Sequence, residues 1–314
     1  MNNFERKQLL LPFLLAFIYV CAFPYPLSAN PLDPIARSQI SVHVYYADML
    51  SKHQEKSWDK LAWRSRELIA EFPFSPFAKE ALYYLGVAKF MLKEYESANI
   101  VFSKYLKEEA LPKYFDQTIR YKFSIASEFD GGEKAHLFGL EKLPKIISAY
   151  DTALEIYDEV IAAMPRDEIA AQSLYKKGQL LVGLEEFSSS IEAFQILCRR
   201  FPKHNLTPKA YIGIIGVYIK ECQKDYPDEN KLQLAEICYK KFERAFPKEP
   251  LLIEAKQKIQ ILKEVLAQDL FEIAFFYNKT KKQSAAKIYF ENVIKKYPGT
   301  NAAKKSQEIL DDHN

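Results

Sequence analysis

From residue 40 to residue 298, apolar side chains return every third or fourth position with charged residues between them. That period lines the apolar positions along one face of a helix. The runs stop at a recurring phrase, an aromatic residue or methionine followed by proline: Phe72-Pro73, Met164-Pro165, Phe201-Pro202, Phe246-Pro247 and Tyr297-Pro298. Proline has no N–H to donate and disfavours helical backbone in the residue before it, so each pair predicts a helix end. A phrase that comes back in register marks a repeat.

Spacing within the units supports this. Eight residues before the proline stand Tyr157, Phe194, Tyr239 and Phe290, and twelve before it stand Ala153, Ser190, Ala235 and Ala286. Four residues is about one helical turn, so the small and aromatic positions share a face. The first stop departs from the pattern, with Ser65 and Leu61 in those places, although Trp58 and Leu68 keep that helix amphipathic. Upstream lie the segments LYYLGVAKF (82–90), LYKKGQLLV (174–182) and LFEIAFFYN (270–278). They set Gly86, Gly178 and Ala274 twelve residues before Ala98, Ser190 and Ala286. The unit with Gly86, Ala98 and Phe102 lacks the closing proline. Each unit reads as two helices in which a small residue admits the partner and an aromatic ring fills the gap. Truncating Phe194 or Phe290 to alanine is expected to cost about 3–5 kcal/mol.

The predicted fold is all-α, a tetratricopeptide-type solenoid of helical hairpins wound as a right-handed superhelix. It has about six hairpins and a capping helix over residues 302–310, with Thr300 or Asn301 as N-cap. Later stops are spaced 37, 45 and 51 residues apart, wider than the tetratricopeptide period of about 34. Insertions are expected around 225–233 and 128–148. The chain divides into an export signal (1–29), N-terminal repeats (38–130), middle repeats with insertions (131–247) and a C-terminal repeat with its cap (248–314), the solenoid being continuous over 38–314.

Composition agrees: 14% of residues are aromatic and only 9 are glycine, which suits a long packed core and argues against turn-dense β architecture. Lys+Arg 44 against Asp+Glu 41 gives +3 with the signs interleaved, so no basic stripe suggests a nucleic-acid partner. Histidines 43, 53, 136, 204 and 313 are scattered, without HExxH, and no nucleophile elbow or P-loop occurs. Gly131-Gly132 reads as a loop. No catalytic residue, metal or cofactor is expected, and an enzyme is disfavoured. Cys198, Cys222 and Cys238 have no paired spacing and read as buried packing residues, with a Cys222–Cys238 bridge as the alternative.

The first thirty residues differ. Arg6 and Lys7 precede LLLPFLLAFIYVCAF and then PYPLSAN, which together describe an export signal. Cleavage after Leu27-Ser28-Ala29 would leave Asn30 first. Alternatively residues 1–20 are a lipoprotein signal and Cys21 carries the lipid, with bulky Val20 where a small residue is usual.

Hairpin solenoids present a trough along their first helices that suits extended peptides. Tyr46, Leu50, Tyr83, Val87 and Phe90 are candidates for an aromatic client groove on the inward face, with Phe74 and Phe77 at the junction of the first two hairpins. Packing within the stack is the competing reading for each.

Three stretches, in order, resemble the BamD family, the tetratricopeptide lipoproteins of the outer-membrane β-barrel assembly machinery. They are EFPFSPFAKEALYYLGVAKFMLKEYESANIVFSKYL (71–106), HLFGLEKLPKIISAYDTALEIYDEVIAAMP (136–165) and ILKEVLAQDLFEIAFFYNKTKKQSAAKIYFENVIKKYP (261–298). Residues 166–247 add about two units without a counterpart. The resemblance implies a non-enzymatic scaffold on the periplasmic face of an outer membrane. It would receive unfolded outer-membrane proteins near its N-terminal hairpins. Its C-terminal repeats, near Tyr289 and Lys287, would hold the insertase's periplasmic domains alongside other lipoproteins of the machine. Tyr289 stands close to where the family has an arginine. A soluble periplasmic adaptor of the cell envelope, for instance one linked to peptidoglycan, is the alternative.

Overall fold

The computed structural model describes residues 41–108, 111–136, 144–224 and 227–312. The export signal and Cys21 lie outside the described residues, as does most of the Phe-Gly segment of the 128–148 insertion.

Thirteen helices and one small sheet make up the described residues. The first hairpin is α1 (Val42–Gln54) with α2 (Trp58–Glu71), the second α3 (Pro76–Met91) with α4 (Tyr95–Glu108). After α5 (Phe115–Asp130), strands β1 (Lys134–His136) and β2 (Lys145–Ser148) pair antiparallel before α6 (Tyr150–Ala163) completes the third. Then follow α7 (Glu168–Gly183) with α8 (Phe187–Arg200), α9 (Thr207–Lys224) with α10 (Glu229–Ala245), and α11 (Leu251–Lys279) with α12 (Gln283–Lys296). A last helix, α13 (Asn301–Asp312), covers the end. The expected all-α solenoid of six hairpins and a cap is what the chain forms.

Each aromatic-proline phrase closes a second helix. Phe72, Met164, Phe201, Phe246 and Tyr297 are the C-caps of α2, α6, α8, α10 and α12, with φ between −125° and −136° and ψ between 56° and 66°. Each has left the α region, which a following proline disfavours. Four hairpins share another device: Lys56, Lys93, Glu185 and Lys281 hold φ between 54° and 63° in the turn between their two helices. Left-handed backbone costs a side-chain-bearing residue about 1–2 kcal/mol, and it is found at the middle of each three-residue turn. Ser41, Ser75 and Asp167 cap α1, α3 and α7 by accepting a backbone N–H at 2.9–3.3 Å.

The clamp between helices is tight. A Cβ built on Gly86 would stand 2.5 Å from the ring of Phe102, and one on Gly178 would stand 2.6 Å from the ring of Phe194. Each ring also reaches the next hairpin: Phe102 stacks on Tyr121 of α5 at 5.3 Å, and Phe194 presses against Gly213 of α9. One side chain thus joins three helices. In the fifth hairpin the expected ring, Tyr239, is half-buried with its hydroxyl donating to Glu243, and Phe242 is the fully buried one, stacked on Tyr211. Phe242 stands five residues before Pro247, the station at which the other proline-closed hairpins bury Leu68, Val160, Leu197 and Val293.

The 51-residue interval between Pro247 and Pro298 contains a helix of unusual length, 29 residues in α11. Ala255, Ile259 and Leu262 belong to the middle core, whereas Ala274 packs with Ala286 and Phe290 of α12. Thr300 is the N-cap of α13, its Oγ1 accepting from Ala303 N at 3.1 Å. Glu264 of α11 accepts from the N–H groups of Asn301 and Ala302 at 2.8 and 3.1 Å. The three described cysteines are free thiols, Cys222 and Cys238 buried, which excludes the Cys222–Cys238 bridge in this structure.

Candidate functional site

The first helices of hairpins one to three meet through aromatic rings arranged around one carboxylate. Tyr46 of α1 donates its hydroxyl to Glu80 Oε2 of α3 at 2.8 Å, and Tyr114 donates to the same oxygen at 3.3 Å. Lys113 Nζ lies 3.1 Å from Glu80. The hydroxyls of Tyr84 and Tyr114 are 3.2 Å apart, and Tyr83 stacks on Tyr114 with centroids separated by 4.2 Å. Burial, reinforced by the bond to the Glu80 carboxylate, pushes the Tyr46 hydroxyl up to about 12.

This geometry separates the candidate groove residues. Tyr83 and Val87 are buried, and Val87 retains only 2% of its surface, so their side chains serve the core. Leu50 and Phe90 are half-buried, Phe90 between the rings of Tyr95 and Tyr121. Tyr46 and Phe77 form a half-buried pair at 4.5 Å, and the ring of His43 meets Phe77 edge-on at 5.0 Å. Phe74 is 98% exposed. Of the candidates, Phe74 is the fully exposed ring and Tyr46 and Phe77 are half-open beside it, while Trp63 of α2, outside the candidate set, is also 55% exposed at this end.

At the other end, Tyr289 is half-buried and stacks on Tyr277 of α11 at 5.3 Å. Lys287 is exposed and lines a cavity of about 390 Å3 closed by Phe290 and by Leu310 of α13. Two residues apart on a helix point roughly 200° apart, and Tyr289 does not line that cavity. Beside them α11 and α12 expose Phe275, Phe276 and Ile288. Exposed apolar side chains grouped on one part of a surface commonly mark a contact site.

Sequence reading missed a third feature. The first helices α7, α9 and α11 of three successive hairpins enclose a trough of about 490 Å3, with Ile212 and Gly216 of α9 as floor. The two glycines in YIGIIGVYIK (211–220) were the available signal.

Among the described residues no group of three or more His, Cys, Asp or Glu could hold a metal, and no helix is long and apolar enough to cross a membrane.

Comparison with known families gives two matches. Residues 80–110, which span α3 and α4, match a tetratricopeptide repeat model. Residues 217–314, from the end of α9 onward, match the YfiO family, described as an outer membrane lipoprotein. The fold is a tetratricopeptide-type solenoid. Together the two matches describe a protein-interaction scaffold with a BamD-like C-terminal region. No curated protein matches the sequence. Solved structures similar to the chain include MamA from Desulfovibrio magneticus RS-1, at 19% identity over 67% of this chain and 97% of that one, with a TM-score of 0.37. YrrB, described as a TPR protein with an unusual peptide-binding site, aligns at 13% identity over 68% of this chain and 90% of its own, TM-score 0.38. The C-terminal part of a TPR repeat-containing protein from Cytophaga hutchinsonii aligns at 13% identity over 86% and 89%, TM-score 0.40.

Proposed function

We propose that the protein is a non-enzymatic scaffold of the outer-membrane β-barrel assembly machinery, held at the periplasmic face of the membrane by a lipid on Cys21. The observation that carries this is the match of residues 217–314 to the outer membrane lipoprotein family, over the same helices whose sequence resembles the BamD C-terminal repeat. In this reading the exposed Phe74 with Tyr46 and Phe77 receives unfolded outer-membrane proteins, because clustered rings bind extended apolar segments without demanding one sequence. The α11–α12 surface around Tyr289 and Lys287 docks the insertase's periplasmic domains. Depletion of the protein should lower the amount of folded barrel proteins in the outer membrane; unchanged barrel levels after depletion would refute the proposal.

A second reading is a soluble periplasmic adaptor. Val20 before Cys21 and the Leu27-Ser28-Ala29 exit favour it. Feeding cells a radioactive fatty acid separates the two: label on the wild type that is lost in Cys21→Ala supports the anchored scaffold, and an unlabelled wild type supports the adaptor.

A further inference from the structure

We infer that Glu80 and the ring of Tyr114 form a socket for an arginine side chain of a client protein, and that Lys113 of this chain fills the socket when no client is bound. The inference rests on the reading of Tyr46, Phe77 and Phe74 as the surface that receives unfolded chains. It adds to that reading the charge such a chain must carry.

A receptor for a cation needs a carboxylate that is already in place before the cation reaches it, because ordering it on binding costs affinity. Glu80 meets that requirement. Its Oε2 accepts from the hydroxyls of Tyr46 and Tyr114 at 2.8 and 3.3 Å, so two phenols orient the group without cancelling its charge. Both take the same oxygen, which leaves Oε1 to Lys113 Nζ at 3.2 Å. Ordinary surface pairs of this chain are looser. Asp158 beside Lys177 and Glu185 beside Lys224 keep 58% and 57% of their side-chain surface, against 23% for Glu80.

Lys113 is the replaceable member of the group. Its side chain is 58% exposed, and its ammonium lies 3.1 Å from Glu80 Oε2 and 5.0 Å from the centroid of Tyr114. The backbone around it is fixed by other contacts. Pro112 is buried and its carbonyl accepts from Phe115 N at 3.1 Å, while Tyr114 N donates to the hydroxyl of Tyr105 at 2.9 Å. The lysine side chain can therefore swing out while the connection into α5 stays where it is. Charge complementarity names what replaces it. A guanidinium gives a carboxylate two parallel N–H bonds and lays its plane on an aromatic face, whereas an ammonium offers a point charge.

The neighbouring surface decides what stands beside the arginine. Phe77 and Glu80 are three residues apart on α3 and so share a face of that helix. Tyr46 joins them, with its hydroxyl on Glu80 and its ring 4.5 Å from that of Phe77. A client that sets its guanidinium on Glu80 thus lays an adjoining apolar side chain against Phe77 and Tyr46. The recognised feature is an arginine next to an aromatic residue.

The test is fluorescence anisotropy with the full chain and two labelled heptapeptides. One is Ser-Gly-Phe-Arg-Phe-Gly-Ser; the other has citrulline, the uncharged isostere, in place of arginine. Wild type should bind the arginine peptide at least about threefold more tightly than the citrulline peptide. A plug present in about two-thirds to nine-tenths of molecules divides affinity by about three to ten. Lys113→Ala should therefore tighten the arginine peptide by that factor and leave the citrulline peptide unchanged. Glu80→Gln keeps the shape of the group and should abolish the difference between the peptides, with circular dichroism and the urea midpoint showing that each variant is folded. Equal binding of the two peptides by wild type and by Lys113→Ala would overturn the socket and leave the aromatic client surface standing. A folded Lys113→Ala that binds the arginine peptide no better than wild type would also overturn it, since Lys113 would then be a structural pair. Failure of both peptides to bind would remove the socket and the client surface together.

Discussion

Replacing Gly178 by alanine adds one methyl group at the tightest point of the fourth hairpin. Its carbon would stand 2.6 Å from Phe194 Cε1 and 2.8 Å from Cδ1 and Cζ. The opposite edge of the ring lies against Gly213, where a built Cβ would stand 2.9 Å from Cε2, so the ring sits between two glycine backbones with little space to shift. Overpacking of this kind typically costs about 1–3 kcal/mol. Gly→Ala within a helix also stabilises by about 0.5–1 kcal/mol, which partly masks the strain. Gly216→Ala supplies the reference, since it makes the same helix-interior exchange with nothing within 4 Å of the new atom. The propensity gain cancels between the two variants, so Gly178→Ala should be less stable than Gly216→Ala by about 1–3 kcal/mol. Urea unfolding followed by circular dichroism at one pH measures both. Adding Phe194→Leu to Gly178→Ala should recover part of the loss, as expected for residues in contact. If Gly178→Ala is as stable as Gly216→Ala, the ring-against-glycine clamp does not hold the hairpins together.

Three further outcomes follow from geometry described above. Thr300→Ala removes the α13 cap and should destabilise by about 0.5–2 kcal/mol, and Glu264→Gln by about 0.3–1 kcal/mol, both with faster amide exchange confined first to α13. Tyr46 keeps its proton in the folded state up to about 12 against an ordinary value of 10.0, so its contribution is complete below pH 10 and is lost as pH rises towards 12. The melting temperature should fall over that interval, and less steeply in Tyr46→Phe; an equal slope in the two would contradict the assignment. Phe74→Ala should leave urea stability within about 0.5 kcal/mol of wild type, as befits an exposed side chain. It should also weaken retention of a urea-unfolded barrel protein in a pull-down; unchanged retention would remove Phe74 from the client surface.

Much of the fold was legible because its punctuation is chemical. Proline after an aromatic residue can end a helix in only one way, and Gly86, Ala98 and Phe102 carry a spacing that no strand would need. The turns were less legible. Lys56, Lys93, Glu185 and Lys281 sit in left-handed backbone without the glycine that usually signals it, since the surrounding helices fix the turn and the residue yields. Tyr239 misled because the face has a second buried station five residues before the proline, filled by Leu or Val in the other hairpins, and in α10 that station carries the ring, Phe242. The groove residues divided for a similar reason. Tyr83 and Phe77 look alike in a helical register, and only the position of Tyr114 on α5's approach shows that one is covered and the other half-open. The trough at Gly216 escaped because a glycine that touches nothing resembles a weak point until its neighbours on α7 and α11 are in place.

The 29 residues of α11 have a mechanical meaning. Its first turns are seated in one core and its last turns in another, with uninterrupted backbone hydrogen bonding between, so the two cannot swivel independently as separate hairpins joined by a loop would. The middle core and the distal Ala274–Phe290 contact are therefore held at a fixed distance and azimuth. The helix works as a rigid gauge between the two packed bodies it joins.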